Sequence, residues 1–96
     1  MPIVAAGTNS ANPHHCSSGY KIKEDDIVMM DLGCVYKGYC SDLTRTYYLG
    51  KINGKFKKIW DIVKNAQNAV LKEIKAGLPV SLANKTARAE IGRAHV

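Results

Sequence analysis

Short apolar runs bounded by turn formers fill the first half of the chain, and one helical stripe dominates the second. Pro2-Ile3-Val4-Ala5-Ala6 stops at Gly7 and predicts a buried strand. Gly7-Thr8-Asn9-Ser10-Ala11-Asn12-Pro13 is dense in turn formers and predicts a loop, continued by His14-His15-Cys16-Ser17-Ser18-Gly19. Lys23-Glu24-Asp25-Asp26 predicts a charged turn into a strand at Ile27. Apolar residues then run up to Asp31, and β-formers (Leu43, Thr44, Thr46, Tyr47, Tyr48) follow Asp42.

Between those two aspartates the pattern predicts a tight β-hairpin. Lys37-Gly38 is the turn candidate, because a two-residue hairpin loop needs positive φ and glycine supplies it cheaply. With Tyr36 and Tyr39 as the last facing pair, Asp31 faces Thr44 and Asp42 faces Gly33. Side chains alternate with period two, so both aspartates leave the same face of the ribbon, with backbones roughly 7–8 Å apart. Gly33 is expected to leave an open space opposite Asp42. An odd-length loop without a bulge would put the aspartates on opposite faces.

After the polar break Gly50–Gly54, the residues Phe56, Ile59, Trp60, Val63, Ala66, Val70, Leu71 and Ile74 recur at three- and four-residue spacing. That stripe predicts an amphipathic helix, ended by Gly77 as a left-handed cap and Pro79 as a stopper. Ser81 is expected to cap a second helix from Leu82 to about Glu90, and Gly92 to break it. The order strand, loop, hairpin, helix, helix predicts an α+β fold in which a helix covers the hairpin. Residues 90–96 resemble an in-frame translation of a common sequencing adapter and are expected to be a non-native tail. Arg93 and His95 therefore carry no functional weight.

Composition changes this picture little. Ninety-six residues, 46% apolar and 23% charged, allow one small domain, marginally stable alone. No apolar run approaches the roughly 18–20 residues of a membrane span. The net charge of +6 raises a nucleic-acid reading. Seven lysines, however, lie between Lys51 and Lys75 with no aromatic residues alternating among them, which suits a solvated helix face better than a stacking platform. Three cysteines, Cys16, Cys34 and Cys40, fit no zinc spacing. The two hairpin cysteines fall on opposite faces, so all three are expected to be reduced thiols, as in a cytoplasmic protein.

Two constellations carry candidate chemistry. Asp31 follows four apolar residues, where an unpaired carboxylate is costly to bury, so it needs a cation, either Lys/Arg or a metal. Arg45 is the obvious competitor, yet its register position points it to the other face. Asp31 as a strand cap and Asp42 with Ser41 as a turn remain open, and two aspartates alone cannot complete a metal site. The second constellation is Asn12-Pro13-His14-His15, where the Pro step holds the backbone extended before an imidazole presented from a loop.

Taken together, the Asn-Ser-Ala-Asn-Pro-His loop, Asp31-Leu32-Gly33, Gly38-Tyr39 and Ser41-Asp42-Leu43-Thr44-Arg45-Thr46 resemble the pita-bread metallopeptidases. This family holds Xaa-Pro dipeptidase (prolidase), aminopeptidase P and methionine aminopeptidase. The resemblance runs from about Ile3 to about Ala89 and departs at Asp25, where the family more often has glycine. It implies that residues 1–89 form the N-terminal part of a partial pita-bread catalytic domain, a hairpin packed by helices.

What the resemblance implies about the site follows residue by residue. Asp31 and Asp42 match two aspartate ligands of a dinuclear metal centre, Asp42 bridging and Asp31 binding one ion. His14 matches the loop histidine that assists proton transfer at the scissile amide, while His15 sits where the family varies. Thr44 and Arg45 match a segment that shapes the metal surroundings. One further His and two Glu ligands are expected downstream. The implied activity is metal-assisted hydrolysis of peptides with proline after the scissile bond, with Mn²⁺ favoured over Co²⁺ or Zn²⁺. A cytoplasmic homodimer is implied for the intact protein, with neither a nucleic-acid nor a membrane partner, and no activity is expected of residues 1–96 alone. A non-catalytic pita-bread domain that binds peptides or proteins is the alternative.

Overall fold

The computed structural model describes residues 2–94, so the part of the tail at His95 and Val96 lies outside the described residues. The chain divides into two compact units, Met1–Ile52 and Asn53–Val96. The first is built on strands and the second on helices, an α+β composition.

In the first unit, strands β1 (Ile3–Ala6), β2 (Ile27–Leu32) and β5 (Leu43–Tyr48) form an antiparallel sheet in the order β1-β2-β5. The apolar run before Asp31 makes β2 the central strand, paired on both sides, and Val28 is buried there with Ala5 and Ala6 of β1. Two short strands, β3 (Val35–Tyr36) and β4 (Tyr39–Cys40), extend the hairpin outward. Lys37 and Gly38 both adopt positive φ (49° and 84°), the type I′ signature that the Lys-Gly pair predicts. Tyr36 pairs with Tyr39 and Asp31 with Thr44, as expected.

The loop after β1 is more ordered than its turn formers suggest. Gly7–Ala11 forms a 3₁₀ turn in which Ser10 Oγ donates to the Gly7 carbonyl at 2.7 Å. At the foot of the hairpin, Asp25 takes a left-handed φ of 67°, and its N–H donates to the Leu49 carbonyl. This explains why glycine suits the position. Aspartate tolerates that conformation better than most residues, and here its carboxylate also accepts from Tyr48 Oη at 3.3 Å.

The second unit pairs α1 (Gly54–Glu73) with α2 (Ser81–Arg93). Asn53 caps α1, its side-chain oxygen accepting the Phe56 N–H at 2.8 Å. Three expectations about the helix ends need correction. Helix α1 stops at Glu73 because Ile74 turns extended (ψ 127°), so Gly77 is not its cap. Gly77 instead sits in a turn closed by Leu78 N–H to the Lys75 carbonyl, with the positive φ of 88° that a type II turn requires. Ser81 is the first helical residue rather than the cap, because Pro79 and Val80 already accept from Leu82 and Ala83. Gly92 does not break α2, which runs through it to Arg93. One glycine costs a helix only about 1 kcal/mol, too little to end it where neighbouring bonds hold. Thr86 Oγ1 donates to Glu73 Oε2 at 2.7 Å, tying the two helices together.

Candidate metal centre on the hairpin

Asp31 sits near the end of the central strand, half-buried, with Ile3 on one side and Thr44 on the other. Asp42 lies in the two-residue gap before β5 and is exposed. The pairing on both sides of this gap keeps a single register, Leu32 to Leu43 below it and Val35 to Cys40 above it. No residue is therefore gained or lost, and Asp31, Thr44 and Asp42 share one face of the ribbon. Asp31 and Thr44 occupy a non-hydrogen-bonded pair, the kind in which facing side chains come closest.

Within the gap the ladder is irregular. Ser41 N–H donates to the Cys34 carbonyl at 2.8 Å, as a regular pair would. The return bond is different, because Cys34 N–H donates to Ser41 Oγ at 3.0 Å. The Ser41 carbonyl is turned instead over Gly33, where a Cβ would overlap its oxygen and stand 3.0 Å from its carbon. The open space expected at Gly33 is therefore absent. Glycine is needed because a backbone carbonyl occupies the place of a side chain. Sequence reasoning missed Ser41, whose only signal was a poor β-former inside a strand-like run.

The cation question for Asp31 also resolves by register. Arg45 stands opposite Met30, on the other parity, and its guanidinium donates to the Thr44 carbonyl at 2.8 Å. Among the described residues, the ion pairs are Lys57–Asp61 and Glu90–Arg93, so neither hairpin aspartate has a cationic side chain as partner. No group of three His, Cys, Asp or Glu side chains that could hold a metal occurs among the described residues. The hairpin register thus puts the two aspartates on one face, and among the described residues no third His, Cys, Asp or Glu joins them in a metal-holding group.

His14 is exposed, on a turn in which its N–H donates to Asn12 Oδ1 at 3.0 Å. His15 is half-buried and lines an open cleft of about 420 Å³, partly open solvent, with Val4, Ala6, Asn9, Tyr20 and Ile22. Val4 and Ala6 have the opposite parity from Ile3, which faces Asp31, so this cleft lies on the other face of the sheet. Beside it, Asp26 organises the turn, accepting from Tyr20 Oη at 3.0 Å and from Lys23 N–H at 2.9 Å. The bond to Asp26, with burial and the carboxylate's charge adding to it, raises the Tyr20 phenol above its ordinary value of 10.0.

The three thiols are free and exposed. All seven lysines from Lys51 to Lys75 are exposed, and Lys57 pairs with Asp61 at 2.6 Å. No helix among the described residues is long and apolar enough to cross a membrane.

Comparison with known proteins gives the family and the fold. The profile of metallopeptidase family M24 matches residues 1–96. The Xaa-Pro dipeptidase of Pyrococcus horikoshii is 40% identical over 86 residues, covering 90% of this chain and 24% of that protein. A prolidase structure from Thermococcus sibiricus superposes with a TM-score of 0.90 at 44% identity, over 96% of this chain and 25% of the other. An X-Pro aminopeptidase structure from Thermotoga maritima gives 0.89 at 35% identity, over 98% and 27%. The chain spans about a quarter of the length of these relatives. Its strands and helices follow the pita-bread fold of the prolidases. Sequence and coordinates converge, and the chain belongs to metallopeptidase family M24.

Proposed function

We propose that the protein carrying this chain hydrolyses the peptide bond before proline with two divalent metal ions, held in part by Asp31 and Asp42. The observation that carries this reading is the single register through the hairpin, which sets two carboxylates without cationic partners on one face. Their chemistry fits the group, since carboxylate oxygens are the usual donors for hard and borderline divalent ions. When bound, such ions supply Lewis acidity and make a water acidic enough to attack at neutral pH.

The chain's own residues do the rest of what falls to this segment. Asp31 and Asp42 hold the ions. His14, on the turn fixed by Asn12, offers an imidazole that passes a proton at the scissile amide nitrogen. Thr44 stands beside Asp31, and Arg45 braces the Thr44 carbonyl, keeping the strand next to the site in shape. The remaining ligands, one His and two Glu, come from other parts of the full-length protein. Mn²⁺ is the first choice of metal, with Co²⁺ and Zn²⁺ after it. The free thiols fit a reducing compartment such as the cytoplasm, and the full-length protein is read as a homodimer.

The test is Asp42→Ala in the full-length protein, with an X-Pro dipeptide as substrate and metal content measured per chain. The reading predicts loss of cleavage and less bound metal. Unchanged metal content would overturn it and leave the non-catalytic binding domain as the better account.

A further inference from the structure

The irregular step at Ser41 lies between the two aspartates, and its parts depend on one another. In a regular antiparallel ribbon the Cys34–Ser41 pair exchanges two backbone bonds, and the Ser41 carbonyl accepts the Cys34 N–H. Here the hydroxyl takes that N–H at 3.0 Å, and its oxygen lies 3.4 Å from Cys34 Sγ. The carbonyl is released and lies over Gly33, in space that any side chain at residue 33 would fill. That carbonyl belongs to the peptide plane joining Ser41 to Asp42. Its rotation therefore sets the direction in which the backbone enters Asp42, the residue directly after it.

We propose that Ser41 is a positioning residue for the metal centre: its hydroxyl replaces a ladder carbonyl, and the rotated 41–42 peptide, accommodated by Gly33, sets the angle at which Asp42 leaves the face that the register already gives it beside Asp31. The inference rests on the reading of Asp31 and Asp42 as ligands and adds what orients one of them. A hydroxyl is required because it alone, on a side chain this short, reaches the N–H that the carbonyl vacates. Without it the Cys34 N–H recaptures the carbonyl, because an unpaired backbone donor is costly. The ladder then becomes regular, and Asp42 stays on that face but leaves it at a different angle.

The experiment compares Ser41→Ala, Ser41→Thr and Asp42→Asn with wild type in the full-length protein. It measures Mn²⁺ affinity by titration calorimetry and melting temperature of the metal-free form. Residues that orient metal ligands typically change affinity about 10–100-fold when removed. Ser41→Ala is expected to weaken Mn²⁺ binding by that factor while leaving the metal-free melting temperature near wild type. Ser41→Thr, which keeps the hydroxyl, is expected to restore binding. Wild-type affinity in Ser41→Ala, or failure of Ser41→Thr to restore it, overturns the positioning role. Asp42→Asn separates this from the underlying reading. If it too binds Mn²⁺ normally, the ligand assignment itself is wrong, whereas loss of binding there alone refutes only the role of Ser41.

Discussion

At the scale of single residues, the side chains that organise the first unit do so through short, specific hydrogen bonds. Asp26 gathers a phenol and a backbone N–H, holding the turn that leads into the central strand. Because the neutral phenol is the better donor to a carboxylate, the folded protein holds the Tyr20 proton more tightly than the unfolded chain does. The folded value is the higher one, so this contribution to stability is whole below pH 10.0 and is lost as pH rises through the raised value. Phenolate absorbance should therefore show Tyr20 titrating higher in the folded protein than in the unfolded chain, and Asp26→Asn should lower it. A Tyr20 that titrates alike in wild type and Asp26→Asn would contradict this. The aspartate pair was legible in the sequence, since counting from a two-residue turn fixes parity. The roles of Ser41 and Gly33 were not, because sequence does not tell whether a hydroxyl or a carbonyl takes a given N–H. Nor was the cleft at His15, which needs β1 and the 14–22 loop in contact.

At the scale of elements, what is local in the chain was readable and what depends on competition between neighbours was not. Positive φ at Lys37 and Gly38 follows from the loop length, whereas the Asn53 cap was not singled out within the polar break before the apolar stripe. The ends of α1 and α2 went differently, because Ile74 leaves the helix before Gly77 is reached, while Pro79 and Val80 start α2 before Ser81. The hairpin turn offers a quantitative check. Lysine in a left-handed conformation costs on the order of 1–2 kcal/mol, a cost that asparagine largely avoids. Against this, Lys37 Nζ lies 5.3 Å from the centre of the exposed Tyr36 ring, an interaction of about 0.5–1 kcal/mol. The conformational effect is the larger, so Lys37→Asn should stabilise the full-length protein by about 0.5 kcal/mol in urea unfolding. A loss of stability would show that the cation–π contact outweighs the strain.

At the scale of the whole molecule, the α+β composition was readable because two periods, two for the strands and 3.6 for the helices, occupy separate halves of the chain. The catalytic reading has a different footing. It combines membership of a peptidase family with a ribbon whose register puts Asp31 and Asp42 on one face. The chain spans about a quarter of the length of its relatives. The central claim is that the two hairpin carboxylates share a pair of divalent ions. Anomalous scattering from crystals of the full-length protein grown with Mn²⁺ tests it most directly. The account predicts two peaks roughly 3.5–4 Å apart, each within bonding distance of Asp31 or Asp42 and at least one touching Asp42. Manganese bound elsewhere, with both aspartates free of metal, would contradict it.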